Sequence, residues 1–115
     1  MSLDITPEAL DRLLQSAGAD PVVIVNFVRL RPDGIGAYQR YGEEVGPIIA
    51  KHGGQPIYSG ACVGTLIGDE RWDYVAVVRY PGPQAIEALV SDPEFEARKH
   101  LRHAALEAGV VHVFR

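Results

Sequence analysis

Two stretches of this chain are apolar on both faces of a strand. In "VVIVNFVRL", residues 22–30, Val22, Ile24, Val28 and Leu30 fall on one face, and Val23, Val25 and Phe27 on the other. "DYVAVVRYP" repeats the pattern, with Val75 and Val77 opposite Ala76, Val78 and Tyr80. A sheet with one solvated face alternates apolar and polar residues, so strands like these need cover on both sides. With 115 residues the chain suits one domain and one core. Its helical segments are too few to cover two sheet faces. A second copy packing sheet against sheet supplies the missing layer, so the pattern predicts a homodimer. The alternative is that the N-terminal helix folds back over the open face.

The order of elements points the same way. "TPEALDRLLQSAG" reads as a helix capped by Thr6, with Pro7 at its first position and Leu10, Leu13, Leu14 and Ala17 on one face. After the first strand, "RPDG" turns the chain into a longer helix with a stripe of Tyr38, Tyr41, Val45, Ile48 or Ile49 and His52. Pro47 interrupts that helix with an expected kink or weakening, and Gly53 and Gly54 end it. "QPIYSGACVGTLIG" reads as a second strand, bulged or bent at Gly60 and Gly64. The third strand follows the "DERW" turn. Next come a short helix in "GPQAIEALVSD" and a longer one from Pro93 to Gly109, its core stripe being Ala97, Leu101, Ala104 and Ala108. "VVHVFR" is the last strand. The sum is α+β: an N-terminal helical extension over residues 1–20, then one βαββαβ ferredoxin-like domain over 21–115. It predicts a four-stranded antiparallel sheet with the first and third strands central.

Fifteen acidic residues against 11 basic ones leave a net charge of −4, which argues against a broad nucleic-acid surface. The lone cysteine, Cys62, excludes an internal disulfide and fits a reducing compartment. "MSLDITPEAL" has neither the basic nor the apolar region of a secretory signal, and no apolar run reaches a membrane span's length. The expected location is the cytoplasm, with no membrane or nucleic-acid partner. No P-loop, no G-x-S-x-G and no dinucleotide fingerprint is present, and nothing names a cofactor.

The candidate site starts from Asn26, a carboxamide in the middle of an apolar strand. A buried amide without partners costs about 1–3 kcal/mol, so Asn26 either pins structure or serves a pocket, where it would polarise an oxygen. Tyr41 and His112 are candidates to move a proton, and Tyr38 to line the same cavity. Arg102 flanks the core stripe of its helix and would anchor an anion. Arg79 would bring charge to the cavity, and Trp72, the only tryptophan, would act as interface anchor or pocket lid. His100 and His103 stand three apart on a helix, but no cysteine or carboxylate completes a metal-binding spacing there. The expected ligand is a small organic molecule, carboxylate-bearing or aromatic, bound without metal. An enzyme, a binding module and a purely structural dimer all remain open.

From residue 22 onward the chain resembles the domain of unknown function 1330 family of the dimeric α/β-barrel superfamily. The carriers are Tyr38, Tyr41, Pro47, "HGG" at 52–54, Tyr80-Pro81, the alanine-bearing helix after it, and "SDPEF" with Arg102 downstream. The resemblance implies a ferredoxin-like fold dimerised through its sheets, and no established activity. Neighbouring families in the same superfamily look like cofactor-free monooxygenases, small-molecule isomerases or haem-degrading enzymes. The chain departs from the family at Phe95, where tyrosine is usual.

Overall fold

The structure, a computed structural model, describes residues 3–115. Its elements are α1 (Pro7–Ala17), β1 (Val22–Leu30), α2 (Ile35–Lys51), β2 (Gln55–Ala61), β3 (Tyr74–Tyr80), α3 (Pro83–Val90), α4 (Pro93–Glu96), α5 (Lys99–Ala105) and β4 (Leu106–Phe114). The four strands form one antiparallel sheet in the order β2-β3-β1-β4. The two strands apolar on both faces, β1 and β3, are its centre. This is the ferredoxin-like α+β fold that the element order predicts.

All helices lie on one side of the sheet. Val22 and Tyr80 pack there with Ile48, Ile86, Leu89 and Ala17. At the other end Val28 meets Ala105 and Leu106. Ala17, Leu10 and Leu13 tie α1 into the first cluster, so α1 does not cover the open face. Cross-strand pairing puts Val23, Val25 and Phe27 on that open face, with Val75, Val77, Val110, His112 and Phe114.

Thr6 caps α1 through its side chain, and Pro7 begins it, as the sequence indicates. α2 runs through Pro47 and four residues beyond, so the proline does not end it. The missing N–H frees only the carbonyl of Glu43, an exposed residue that water satisfies. Gly53, at φ 83°, then takes the left-handed turn that stops the helix. Beside it His52 Nε2 and Lys51 Nζ each lie 2.8 Å from Asp92 Oδ2, while Asp92 Oδ1 accepts from the backbone N–H of Glu94. The "HGG" and "SDPEF" segments are thus two halves of one clamp between the end of α2 and the start of α4.

Two expectations change. The helix starting at Pro93 is broken at 97–98 and ends at Ala105, where β4 begins. Ala104 is therefore exposed and Ala108 lies in a strand, so neither belongs to a helical core stripe. Tertiary pairing overrides helix propensity here, because β1 needs a partner along its full length and Leu106 pairs with Leu30. β2 ends at Ala61, and its register shift falls between Pro56 and Tyr58 rather than at Gly60 or Gly64. Pro56 has no N–H for the ladder, which puts the irregularity at the proline.

Burial at the heart of the first cluster pushes the Tyr80 phenol up to about 12. In the unfolded chain it ionises near pH 10. Its contribution to stability is therefore complete below about pH 10 and is lost as pH rises toward 12. Alkaline unfolding followed by circular dichroism is expected to set in over that window, and Tyr80→Phe to delay it.

Candidate functional site

Between the sheet and the helices lies a cavity of about 850 Å³. Its floor is Ile24 and Asn26 of β1, Ala76 and Val78 of β3, and Val111 and Val113 of β4. Its roof is the Tyr38, Tyr41, Val45 and Ile49 stripe of α2, closed by Leu10 and Leu13 of α1 and Phe95 of α4. Residues 3–6 run along the edge beside Arg102. The lining is mostly apolar with a few polar groups, the usual composition of a small-molecule site, and the volume is within the usual range.

Asn26 shares a face with Ile24 and Val28, so its side chain points to the helices and into this cavity. Its Oδ1 is buried without a hydrogen-bond partner. The neighbouring polar group is Arg102. Its guanidinium sits over Gly109, whose absent side chain leaves the room: a Cβ there would lie 3.1 Å from Nη2. Gly109 pairs with Val28, and Val111 with Asn26. The backbone under Arg102 is thus a diagonal neighbour of Asn26, about 7–8 Å away. Arg102 Nη1 donates to the carbonyl of Leu3, and among the described residues Arg102 forms no ion pair with a carboxylate.

Burial raises the phenols of both Tyr38 and Tyr41, against the opposing pull of the Arg102 charge. At neutral pH both are protonated and able to donate. Tyr38 also packs its ring 5.8 Å from that of Tyr74.

The other sequence candidates lie elsewhere. His112 is cross-strand partner to Val25 and stands on the open face, its ring 6.3 Å from that of Phe114. Arg79 is exposed on the same face opposite Val23. Trp72 stacks there too, 6.1 Å from Phe27 and 4.9 Å beneath the Arg29 guanidinium. The sheet therefore separates Asn26, Tyr38, Tyr41 and Arg102 from His112, Arg79 and Trp72. The four-residue constellation of Asn26, Tyr41, Arg102 and His112 does not converge within one chain. His100 Nδ1 lies 3.0 Å from the carbonyl oxygen of Ala97, and His103 pairs with Asp4 at 2.8 Å. Among the described residues no three His, Cys, Asp or Glu side chains cluster as a metal site. Gly109 went unnoticed as a site residue, because in sequence it reads as a helix stop. A shallower depression of 440 Å³ beside the turn after β1 is lined by Arg71 and Asp73, which pair with each other at 2.7 Å.

Over residues 15–114 the chain matches the family described as Domain of unknown function (DUF1330). The chain belongs to that family. A DUF1330 protein thus carries the cavity above, and the match takes in the last turn of α1. It is also similar to a protein of unknown function from Rhodopseudomonas palustris, at 30% identity and a TM-score of 0.87 over 97% of this chain and 94% of that one. More distant in sequence is a dimeric protein of unknown function and ferredoxin-like fold from Bacteroides fragilis, with 15% identity and a TM-score of 0.62 over 83% of this chain and 95% of that one. SnoaB, a cofactor-independent oxygenase from Streptomyces nogalater, gives 15% identity and 0.62 over 84% and 93%. These last two likenesses bear on the fold alone. No protein of curated function matches the chain. No helix among the described residues is long and apolar enough to cross a membrane.

Proposed function

We propose that this DUF1330 protein binds a small, mostly apolar organic acid that also carries a hydroxyl or other hydrogen-bond donor, in the cavity between sheet and helices, as a homodimer paired through the open sheet faces. One observation carries the reading: a buried carboxamide oxygen without a partner and an arginine that forms no ion pair among the described residues line the same largely apolar cavity. The buried Asn26 oxygen is costly to leave unmet, and the Arg102 guanidinium, which donates to the Leu3 carbonyl, has further donors to offer. An aromatic or aliphatic acid that also carries a hydroxyl meets the guanidinium with its carboxylate, the apolar walls with its body, and Asn26 Oδ1, an acceptor, with its O–H. Tyr38 and Tyr41, held protonated, add donors to the same oxygens.

Binding without chemistry suits these groups better than acid–base catalysis. Burial moves the two phenols away from acting as bases at neutral pH, and His112, the histidine among the sequence candidates, faces the other side of the sheet. The similarity to a cofactor-independent oxygenase keeps a cofactor-free reaction as the second reading, with Asn26 polarising the reacting oxygen and Tyr41 donating to it.

Titration calorimetry with 6-hydroxy-2-naphthoate, which carries both a carboxylate and an O–H donor, tests the proposal. Arg102→Met is expected to weaken binding by about 10–150-fold, the loss of one charge-assisted contact. Asn26→Leu is expected to weaken it too, while thermal stability stays level or rises because the orphaned oxygen is gone. Equal affinity in wild type and both variants, or no binding by wild type, overturns the reading.

A further inference from the structure

The segment joining β2 to β3 carries apolar side chains that its own chain does not touch. Val63 and Leu66 are fully exposed and Ile67 is 96% exposed. The base of this arm is closed by the N–H of Cys62 donating to the carbonyl of Asp73, 2.8 Å away. Beyond that pair, residues 63–70 are all exposed, and Arg71 ties the far end of the arm to Arg29 and Glu107. Large aliphatic side chains left fully in water, next to an edge strand that also exposes Ile57 and Tyr58, mark a contact surface.

We infer that the occupant of this surface is a second copy of the chain: the arm of each protomer lies against the partner and completes the dimer. The inference rests on the sheet-face pairing proposed above. Four strands of seven to nine residues have a flat footprint of about 500 Å², a modest base for an interface that takes about 600–1,000 Å² of accessible surface from each partner. The arm, joined to the sheet at β2 and β3, is the adjoining apolar surface that enlarges it. Charge agrees. The arm carries Asp69 and Glu70, and the open face carries Arg79; none of the three forms an ion pair among the described residues. In a two-fold pairing each arm brings its acids to a face that offers a free cation, twice over.

Because Leu66 and Ile67 are exposed almost completely in their own protomer, changing them leaves the fold intact. Sedimentation velocity over a wide concentration range, with circular dichroism as the folding control, reads the outcome. Leu66→Asp combined with Ile67→Asp is expected to keep the wild-type far-UV spectrum and to weaken the dimer by about a hundredfold or more. Val25→Lys, at the centre of the open face, is expected to dissociate it as well. If Val25→Lys gives monomers while the arm variant stays as tight as wild type, the arm inference is overturned and sheet pairing stands. If neither variant shifts the equilibrium, or wild type is a monomer throughout, both ideas are overturned and another molecule covers these surfaces.

Discussion

Gly34→Ala is expected to destabilise the protein by about 3 kcal/mol, although alanine suits both the position's backbone and the helix it begins. Gly34 has φ −80° and ψ −11°, which any residue adopts. The left-handed residue of this turn is Asp33, at φ 63°. What Gly34 supplies is room: a Cβ would fall on the carbonyl oxygen of Ala105 and 3.0 Å from that of Arg31. These are main-chain atoms that no rotamer change moves away. The same junction is held from the other side by Arg31, whose N–H donates to Ala105 O at 2.9 Å and whose Nε donates to Leu106 O at 3.0 Å. Inserting a methyl group therefore separates the start of α2 from the α5–β4 corner. Arg102 lies one turn before that corner, and Tyr38 one turn after Gly34. The variant is expected to lose stability and ligand affinity together, by urea unfolding and by calorimetry. A melting temperature within about a degree of wild type would show that the corner yields without cost.

That example also marks where reading the chain stops. The central strands are legible because nine and seven consecutive residues leave no polar face, and a βαββαβ order allows few ways to arrange them. The α2 stripe is legible for the same reason of period: Tyr38, Tyr41, Val45 and Ile49 recur at helical spacing and all reach the cavity roof. The face to which Asn26 points is not legible, since its neighbours on both parities are apolar. His112 against Asn26 depends on the pairing of Val25 with His112, which is a fact of register between distant segments. The end of α5 is hidden in the same way. "HLRHAALEAG" has good helix formers throughout, and only the need of β1 for a partner turns Leu106 onward into a strand. Close approaches such as Gly34 to Ala105, and Gly109 beneath Arg102, join residues far apart in sequence and leave no local signature.

The clamp at Asp92 is expected to dominate the acid side of the stability curve. Asp92 is 7% exposed and receives three donors, from Lys51, His52 and the N–H of Glu94. The hydrogen bond from Lys51 is the largest cause, with those from His52 and Glu94 behind it, and together they hold the carboxyl well below the usual carboxylate range. A carboxylate depressed in this way stabilises the fold above the pH at which the unfolded chain ionises, near 4. That stability is lost as pH falls further and the clamp protonates. Asp92→Asn keeps the size and a capping oxygen for α4 but removes the charge that both basic partners face. At neutral pH it is expected to lower the melting temperature by about 5–10 °C. The gap between variant and wild type should then narrow steadily below pH 4, as the wild-type carboxyl takes up its proton. Melting curves at a series of pH values distinguish this from loss of packing alone, which would leave the gap constant. Because the clamp sits at the end of α2, its release also frees the helix that roofs the cavity, and affinity for an aromatic acid should fall over the same acid range.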